Sequence, residues 1–179
     1  MSPDFAHVFR LAQQPDGAAA VFAYCRQGIH ATAGSLLTTA SIYDLAEMRS
    51  RRVWSDDPVA YPVGNFKRLD RNRFFDLVIE GGLPFHSTSI EEIAEVFFDW
   101  QKIQSLGFES NMNLPALANG QVIGSINLLH RKGHFTAERV AAVMAWQPVV
   151  MLAFLLLAGS PQMVNFHGAA QMGDALVEG

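Results

Sequence analysis

The sequence predicts an α+β fold in which a central antiparallel β-sheet of five or six strands carries the N- and C-terminal helices on one face. Three observations lead there. Strand patterns come in hairpin-linked pairs, residues 35–44 with 51–55 and residues 110–117 with 121–129. Helical periodicities stand before, between and after these pairs instead of alternating with single strands, which disfavours a parallel sheet. Half of the 179 residues are apolar and 17% are charged, a balance that supports one packed core and lies far from that of unfolded chains.

In chain order, residues 3–13 place Phe5, Val8, Phe9 and Ala12 at helical spacing, with Ser2 as N-cap and Pro3 in the tolerated first position. Residues 18–27 put Val21, Phe22 and Cys25 on one stripe, and Gly28 is read as the stop of this second helix. The β-branched and aromatic content of 35–44 and of Val53-Trp54 gives the first hairpin. Residues 56–68, with two prolines, a glycine and no helical period, read as a long ordered loop of the kind that covers sites. Phe74, Leu77 and Val78 mark a helix over 70–80 closed by Gly81-Gly82, and 83–86 is a short strand. Ser89 and Glu92 form a capping box for a helix over 90–98, with another turn or two over 100–106. Asn119-Gly120 is the tight-turn pair of the second hairpin. Thr136 opens a last helix reaching Leu157, with Gly159-Ser160-Pro161 as its stop. The expected domain therefore spans 1–159 (terminal helices 3–28, core 35–157), followed by a weakly patterned, partly disordered tail over 160–179.

Composition narrows the function classes. A net charge of −4 with no basic tract gives no footprint for nucleic acid. Cys25 is the single cysteine, so no internal disulfide forms, and the N-terminus lacks a signal-like apolar run; a reducing, cytoplasmic location is expected. Residues 141–158 match a minimal membrane span in length, but Gln147 and Pro148 interrupt them and Glu138 and Arg139 precede them, so a buried or dimer-forming helix is preferred and no membrane partner is expected.

Side chains alternate across a strand. Asn111, Asn113, Ser125 and Asn127 therefore share one face of the second hairpin, while Met112, Leu114, Ile126 and Leu128 share the face toward the helices. By pattern alone the polar face is either wet or the floor of a pocket. Trp54, Tyr61 and Phe66, with Pro58 and Pro62, would supply an aromatic lid, or else ordinary packing under the loop. Arg49, Arg51 and Arg52 are expected to solvate a turn or pair with Asp56 and Asp57 rather than bind phosphate. His130 and His134 have helical ligand spacing, yet Gly133 places them in a loop, so local hydrogen bonding is expected and no metal site. His86 has no nucleophile or acid partner and is kept only as a ligand contact.

Three segments together carry a family resemblance: Ser110-Asn-Met-Asn-Leu-Pro115, Asn119-Gly120-Gln-Val-Ile-Gly124-Ser-Ile-Asn127-Leu, and Phe135-Thr-Ala-Glu138. Their order resembles the closing half of a GAF domain, and the likeness extends over about residues 18–157. The resemblance implies that the polar face is a pocket roofed by the loop and helices between the hairpins, and that terminal helices pair into a homodimer. It also implies which ligands to set aside. Free methionine sulfoxide reductases of that family use several cysteines and mostly acidic positions where Asn111 and Asn127 stand, which argues against a cationic amine. Phytochrome-type members attach a bilin through a cysteine without counterpart here, and the Asn-Lys-x-Phe pattern of cyclic-nucleotide binders is missing. The expectation is a non-enzymatic sensor for an unidentified small organic molecule, without cofactor and, at this length, without an output domain of its own. The alternative is a structural dimerisation module with a vestigial pocket.

Overall fold

Residues 1–159 and the backbone of 177–178 are described by the computed structural model of the chain. The tail expected over 160–179 otherwise lies outside the described residues. β1 (Leu37–Asp44) and β2 (Arg49–Ser55) form the first hairpin, and β3 (Phe66–Arg68) adds to the outer edge of β2. β4 (Phe85–Ser87) pairs with β5 (Ser110–Ala118), which forms the second hairpin with β6 (Gln121–His130). β1 and β6 join the hairpins, giving six antiparallel strands in the order β4-β5-β6-β1-β2-β3; β7 (Val177–Glu178) pairs parallel to β3. At the second hairpin turn, Asn119 and Gly120 have φ of 52° and 73°, the left-handed pair that a two-residue turn requires.

One face of the sheet holds the main core. α1 (Phe5–Ala12), α2 (Gly17–Ala33), α5 (Ala137–Val143) and α6 (Gln147–Ala158) cover it, and Met112, Leu114, Ile126 and Leu128 are buried there as their alternation predicts. Asp4, not Ser2, caps α1, accepting from the His7 N–H. Of the apolar stripe on α1 only Val8 is buried; Phe5 and Phe9 are 50% and 62% exposed.

Gly28 does not stop α2, which continues to Ala33. A Cβ at Gly28 would lie 1.7 Å from Cη2 of Trp146, so the glycine is the seat of an indole ring and not a terminator. The last helical stretch is likewise not continuous. A 3₁₀ turn, Met144–Trp146, separates α5 from α6, and Pro148 occupies the first turn of α6, where a missing N–H costs nothing. The stretch Ala137–Ala158 is long and apolar enough to cross a membrane by length and composition. Here Val149, Val150, Ala153, Phe154 and Leu157 are buried in the main core instead.

On the opposite face lie the segments between the hairpins. The periodicity read as a helix over 70–80 is a π-helical turn, Phe75–Glu80, whose entry is held by Asn72: its Oδ1 accepts from the N–H groups of Phe74 and Phe75. α3 (Ile90–Ala94), capped by Ser89, follows and is shorter than expected, and α4 (Trp100–Ser105) supplies the further turn expected over 100–106. Two small apolar clusters hold this layer down, one around Phe74, Phe75, Val78, Phe85 and Val96, the other around Leu37, Tyr61, Ile93, Ile103 and Leu129.

Candidate functional site

Beneath the roof layer, on the sheet face opposite the main core, is a partly enclosed cavity of about 100 Å³. Its floor is made by three neighbouring strands. β5 supplies Asn111 and Asn113, β6 supplies Asn127, and β1 supplies Thr39, Ser41 and Tyr43. These meet because residues of like parity face the same way and the register sets Asn113 opposite Asn127, and Asn127 opposite Thr39. Ser50 and Arg52 of β2 and Lys67 of β3 continue the polar surface outward, and Tyr61, Leu69, Phe74, Val96, Phe97 and Ile103 close it from above.

The floor residues form one connected hydrogen-bond network. Ser87 Oγ donates to Asn111 Oδ1. Asn111 Nδ2 then donates to Asn113 Oδ1 at 2.8 Å, and Asn113 Nδ2 to Asn127 Oδ1 at 2.7 Å. Asn127 Oδ1 also accepts from Ser125 Oγ at 2.7 Å, while its Nδ2 donates to Ser41 Oγ at 3.2 Å and to Thr39 Oγ1 at 3.4 Å. Because the Ser125 proton is committed to Asn127, the 2.5 Å contact between Ser125 and Tyr43 is a phenol O–H donating to Ser125 Oγ. Burial pushes the Tyr43 phenol above its ordinary pKa and keeps it protonated as that donor. Asn111 and Asn113 are only 3% and 5% exposed, so this network answers most of the desolvation cost of burying two amides.

Ion pairs order the rim. Lys67 Nζ donates to Asp99 Oδ1 at 2.7 Å, tying β3 to the start of α4, and Arg68 pairs with Asp70 at 2.9 Å. Arg52 donates through Nη1 to the Pro62 carbonyl at 2.9 Å, with its guanidinium 4.8 Å from the centre of the Tyr61 ring. Asn72 Nδ2 donates to the Val96 carbonyl and so joins two parts of the roof.

The fold recurs in solved structures. The GAF domain of a phosphoenolpyruvate-protein phosphotransferase from Coxiella burnetii superposes with a TM-score of 0.63 at 13% identity, over 86% of this chain and 90% of that one. The GAF domain of a two-component sensor histidine kinase from Bacillus halodurans gives 0.61 at 7% identity, over 83% and 95%. The fold is a GAF fold. Free methionine-R-sulfoxide reductase from Neisseria meningitidis, solved with its substrate, has it as well, with a TM-score of 0.62 at 11% identity over 83% and 84%. No protein-family model and no curated protein matches the sequence.

Within the GAF fold the residues singled out from sequence divide into two groups. Asn111, Asn113 and Asn127 lie in the cavity floor and Tyr61 in its roof, while Ser125 is buried at the floor's edge, engaged with Tyr43 and Asn127. Trp54, Phe66 and His86 do not line the cavity, and the expectation of an aromatic lid is corrected accordingly. Trp54 stacks near Phe22 on the helix side, with ring centres 6.2 Å apart. The cause is a bulge in β2. Ala40 pairs with Trp54 but Ser41 pairs with Arg52, so the extra residue turns Trp54 and Arg52 to opposite faces although their numbers have the same parity. Phe66 stands opposite Arg51 and is buried in the main core, with the guanidinium of Arg49 4.1 Å from its ring centre. His86 stands opposite Met112 and donates from Nδ1 to the Phe135 carbonyl at 2.9 Å.

The arginine expectation also changes. Arg49 pairs with Asp44, and Arg51 donates to the Gly64 carbonyl, whereas Asp56 pairs with Arg26 and Asp57 accepts from the N–H groups of its own loop. His134 donates from Nε2 to the Ala33 carbonyl at 2.7 Å and stacks 3.3 Å from His130. Sequence reasoning missed Thr39, Ser41, Tyr43 and Arg52. The first three carry a legible signal, since they alternate along β1, but placing them beside Asn127 requires the β1–β6 pairing.

Proposed function

We propose that this chain is a small-molecule-binding sensory domain. The reading rests on one observation: a cavity roofed by the segments between the hairpins, with a connected polar floor of Asn111, Asn113 and Asn127. The GAF folds it resembles include domains of a sensor histidine kinase and of a phosphotransferase, which supports a sensory role. Another similar structure is a reductase, but the sole cysteine here, Cys25, is fully buried in α2 on the helix side, and burial raises its thiol pKa, so it does not support thiolate chemistry. We take the domain as non-catalytic and cytoplasmic.

The experiment is a thermal-shift screen of the purified chain against small aromatics, carboxylates, purines and amino acids, joined to mass spectrometry for a co-purifying compound. A ligand at a hundred times its Kd adds about 2.7 kcal/mol, which for a domain of this size is a rise of roughly 5–10 °C in Tm. Asn127→Leu should abolish that rise, because it removes the hub of the floor. A protein that is empty and unresponsive throughout would sink the sensory reading.

A second reading, assembly into a homodimer through the terminal helices, is favoured by the exposure of Phe5 and Phe9 on α1 and of Leu155 on α6, the last at 44%. Occupancy of the cavity would then be passed to that interface through the sheet on which these helices pack.

A further inference from the structure

Resting on the sensory reading of the cavity, we infer that its guest is a small uncharged carbonyl compound, a ketone or amide of a few non-hydrogen atoms held through its oxygen. The floor is short of acceptors. A primary amide has two N–H groups, and Asn111 and Asn113 each give only one, to Asn113 Oδ1 and to Asn127 Oδ1. Both side chains are buried, and a buried N–H without a partner is costly, whereas a carbonyl oxygen with one bond is satisfied. Each of the three amide oxygens already has at least that one bond. The surplus is the same whichever way the chain of bonds runs. With every amide reversed, Asn113 would donate to Asn111 and Asn111 to Ser87, and each would still have one N–H over. A guest that brings an acceptor oxygen to the floor answers those two groups.

The charges of the wall are already engaged. Of the charged side chains that line the cavity, Lys67 donates to Asp99 at 2.7 Å and Arg68 to Asp70 at 2.9 Å. Arg52 is held by the Pro62 carbonyl and lies against the Tyr61 ring. An ion entering the cavity gives up hydration that only a counter-charge replaces, and to obtain one it would have to break a contact that orders the rim. An uncharged guest leaves all of these contacts in place.

Roof and size set the rest of the guest. Leu69, Phe74, Val96, Phe97 and Ile103 face the polar floor from above, so the molecule has an apolar side opposite its oxygen. A volume of about 100 Å³ is smaller than the ~150 Å³ apolar cavity that takes benzene and well below the ~300 Å³ at which drug-sized sites begin. The space suits a molecule on the scale of butanone, not a nucleotide.

The test uses four probes of one shape that differ only in the groups on one carbon: butanone, propionamide, sodium propionate and propionamidine hydrochloride. Each is titrated into the whole chain at fixed ionic strength, followed by calorimetry and by the side-chain NH2 signals of Asn111 and Asn113 in NMR spectra. The expected result is saturable binding of butanone and propionamide that moves those signals, with both ions bound at least about tenfold more weakly. Asn113→Leu, which removes one of the spare N–H groups, should weaken butanone binding at least about tenfold. The wild-type comparison stands even where this variant fails to fold. Tighter binding of propionate or propionamidine, binding of the neutral probes that leaves both side-chain signals unmoved, or a folded Asn113→Leu protein that binds butanone as tightly as the parent overturns the inference and leaves the sensory reading intact. Silence toward all four probes overturns the inference as well, and the sensory reading falls with it only if the wider screen is also silent.

Discussion

Replacing Gly28 by alanine should destabilise the protein, although in most helices that exchange is favourable. Ala exceeds Gly in helix interiors by about 0.5–1 kcal/mol. At Gly28, however, the added methyl would sit 1.7 Å, 1.9 Å and 2.4 Å from Cη2, Cζ2 and Cζ3 of Trp146, where carbon atoms settle at about 3.5–4.0 Å. The ring must give way by nearly 2 Å, and it is held. Trp146 is fully buried, its Nε1 donates to Thr32 Oγ1 at 3.1 Å one turn further along the same helix, and Tyr24 meets it edge-on at 5.3 Å. Overpacking of this kind costs about 1–3 kcal/mol, and at this separation the upper part of that range applies. Net of the helix gain, a loss of about 2 kcal/mol follows, or a drop of roughly 4–8 °C in Tm. Urea denaturation followed by circular dichroism measures it, alongside Trp146→Leu and the double variant. The cycle should return a favourable coupling of at least about 1 kcal/mol, because the smaller side chain makes room for the methyl. A Gly28→Ala protein as stable as the parent, or two changes that merely add, would refute the reasoning.

Acid should weaken the fold before most carboxylates titrate. Burial, then the charges of His134, Arg139, Arg131 and His30, push His130 down to about 4, and burial lowers His134 as well. Between pH 6.5 and 4 the unfolded chain therefore binds more protons than the folded one, so stability is full above pH 6.5 and falls as pH drops through that window. For these partly exposed rings a loss of about 1 kcal/mol between pH 7 and pH 5 is expected in urea titrations, and His130→Gln should flatten the slope. Tyr43→Phe removes the donor to Ser125 and should cost about 1 kcal/mol without changing the circular dichroism spectrum; a neutral result would mean that this bond adds nothing net. Leu155→Glu and Phe9→Glu should shift the chain from dimer to monomer in light scattering while leaving the circular dichroism spectrum unchanged, since both side chains face solvent in the single chain. A monomer before mutation would rule out the homodimer.

Much of this architecture is legible in the residues because the features behind it are local. Alternation gave the faces of β5 and β6, Asn119-Gly120 gave their turn, and Ser89 and Thr136 gave two helix starts. What escaped depends on contacts distant in sequence. Gly28 reads as a stop until Trp146, more than a hundred residues later, is seen to occupy the space above it. Trp54 reads as a lid residue because nothing local announces the bulge that turns it away. Period two alone placed the three asparagines on one face, and the family resemblance made that face a pocket, while Arg52, which the same bulge directs into the cavity, could not be placed there from either.

The amide network also bears on how the chain finds its fold. It runs from Ser87 on β4 through β5 and β6 to Ser41 and Thr39 on β1, perpendicular to the strands and across four of them. Apolar collapse against α2 and α6 already disfavours a slip of one residue, since Ile126 and Leu128 would leave the core, and the amides on the other face add to that penalty. Such a slip of β6 would turn Asn127 and Ser125 into the helix layer and Ile126 and Leu128 into the cavity. Each amide stranded without a partner would cost about 1–3 kcal/mol, and the bonds on either side of it would be lost too. The same residues that line the cavity thus act as a pairing code during folding, and the floor of the site is complete as soon as the sheet is correctly aligned.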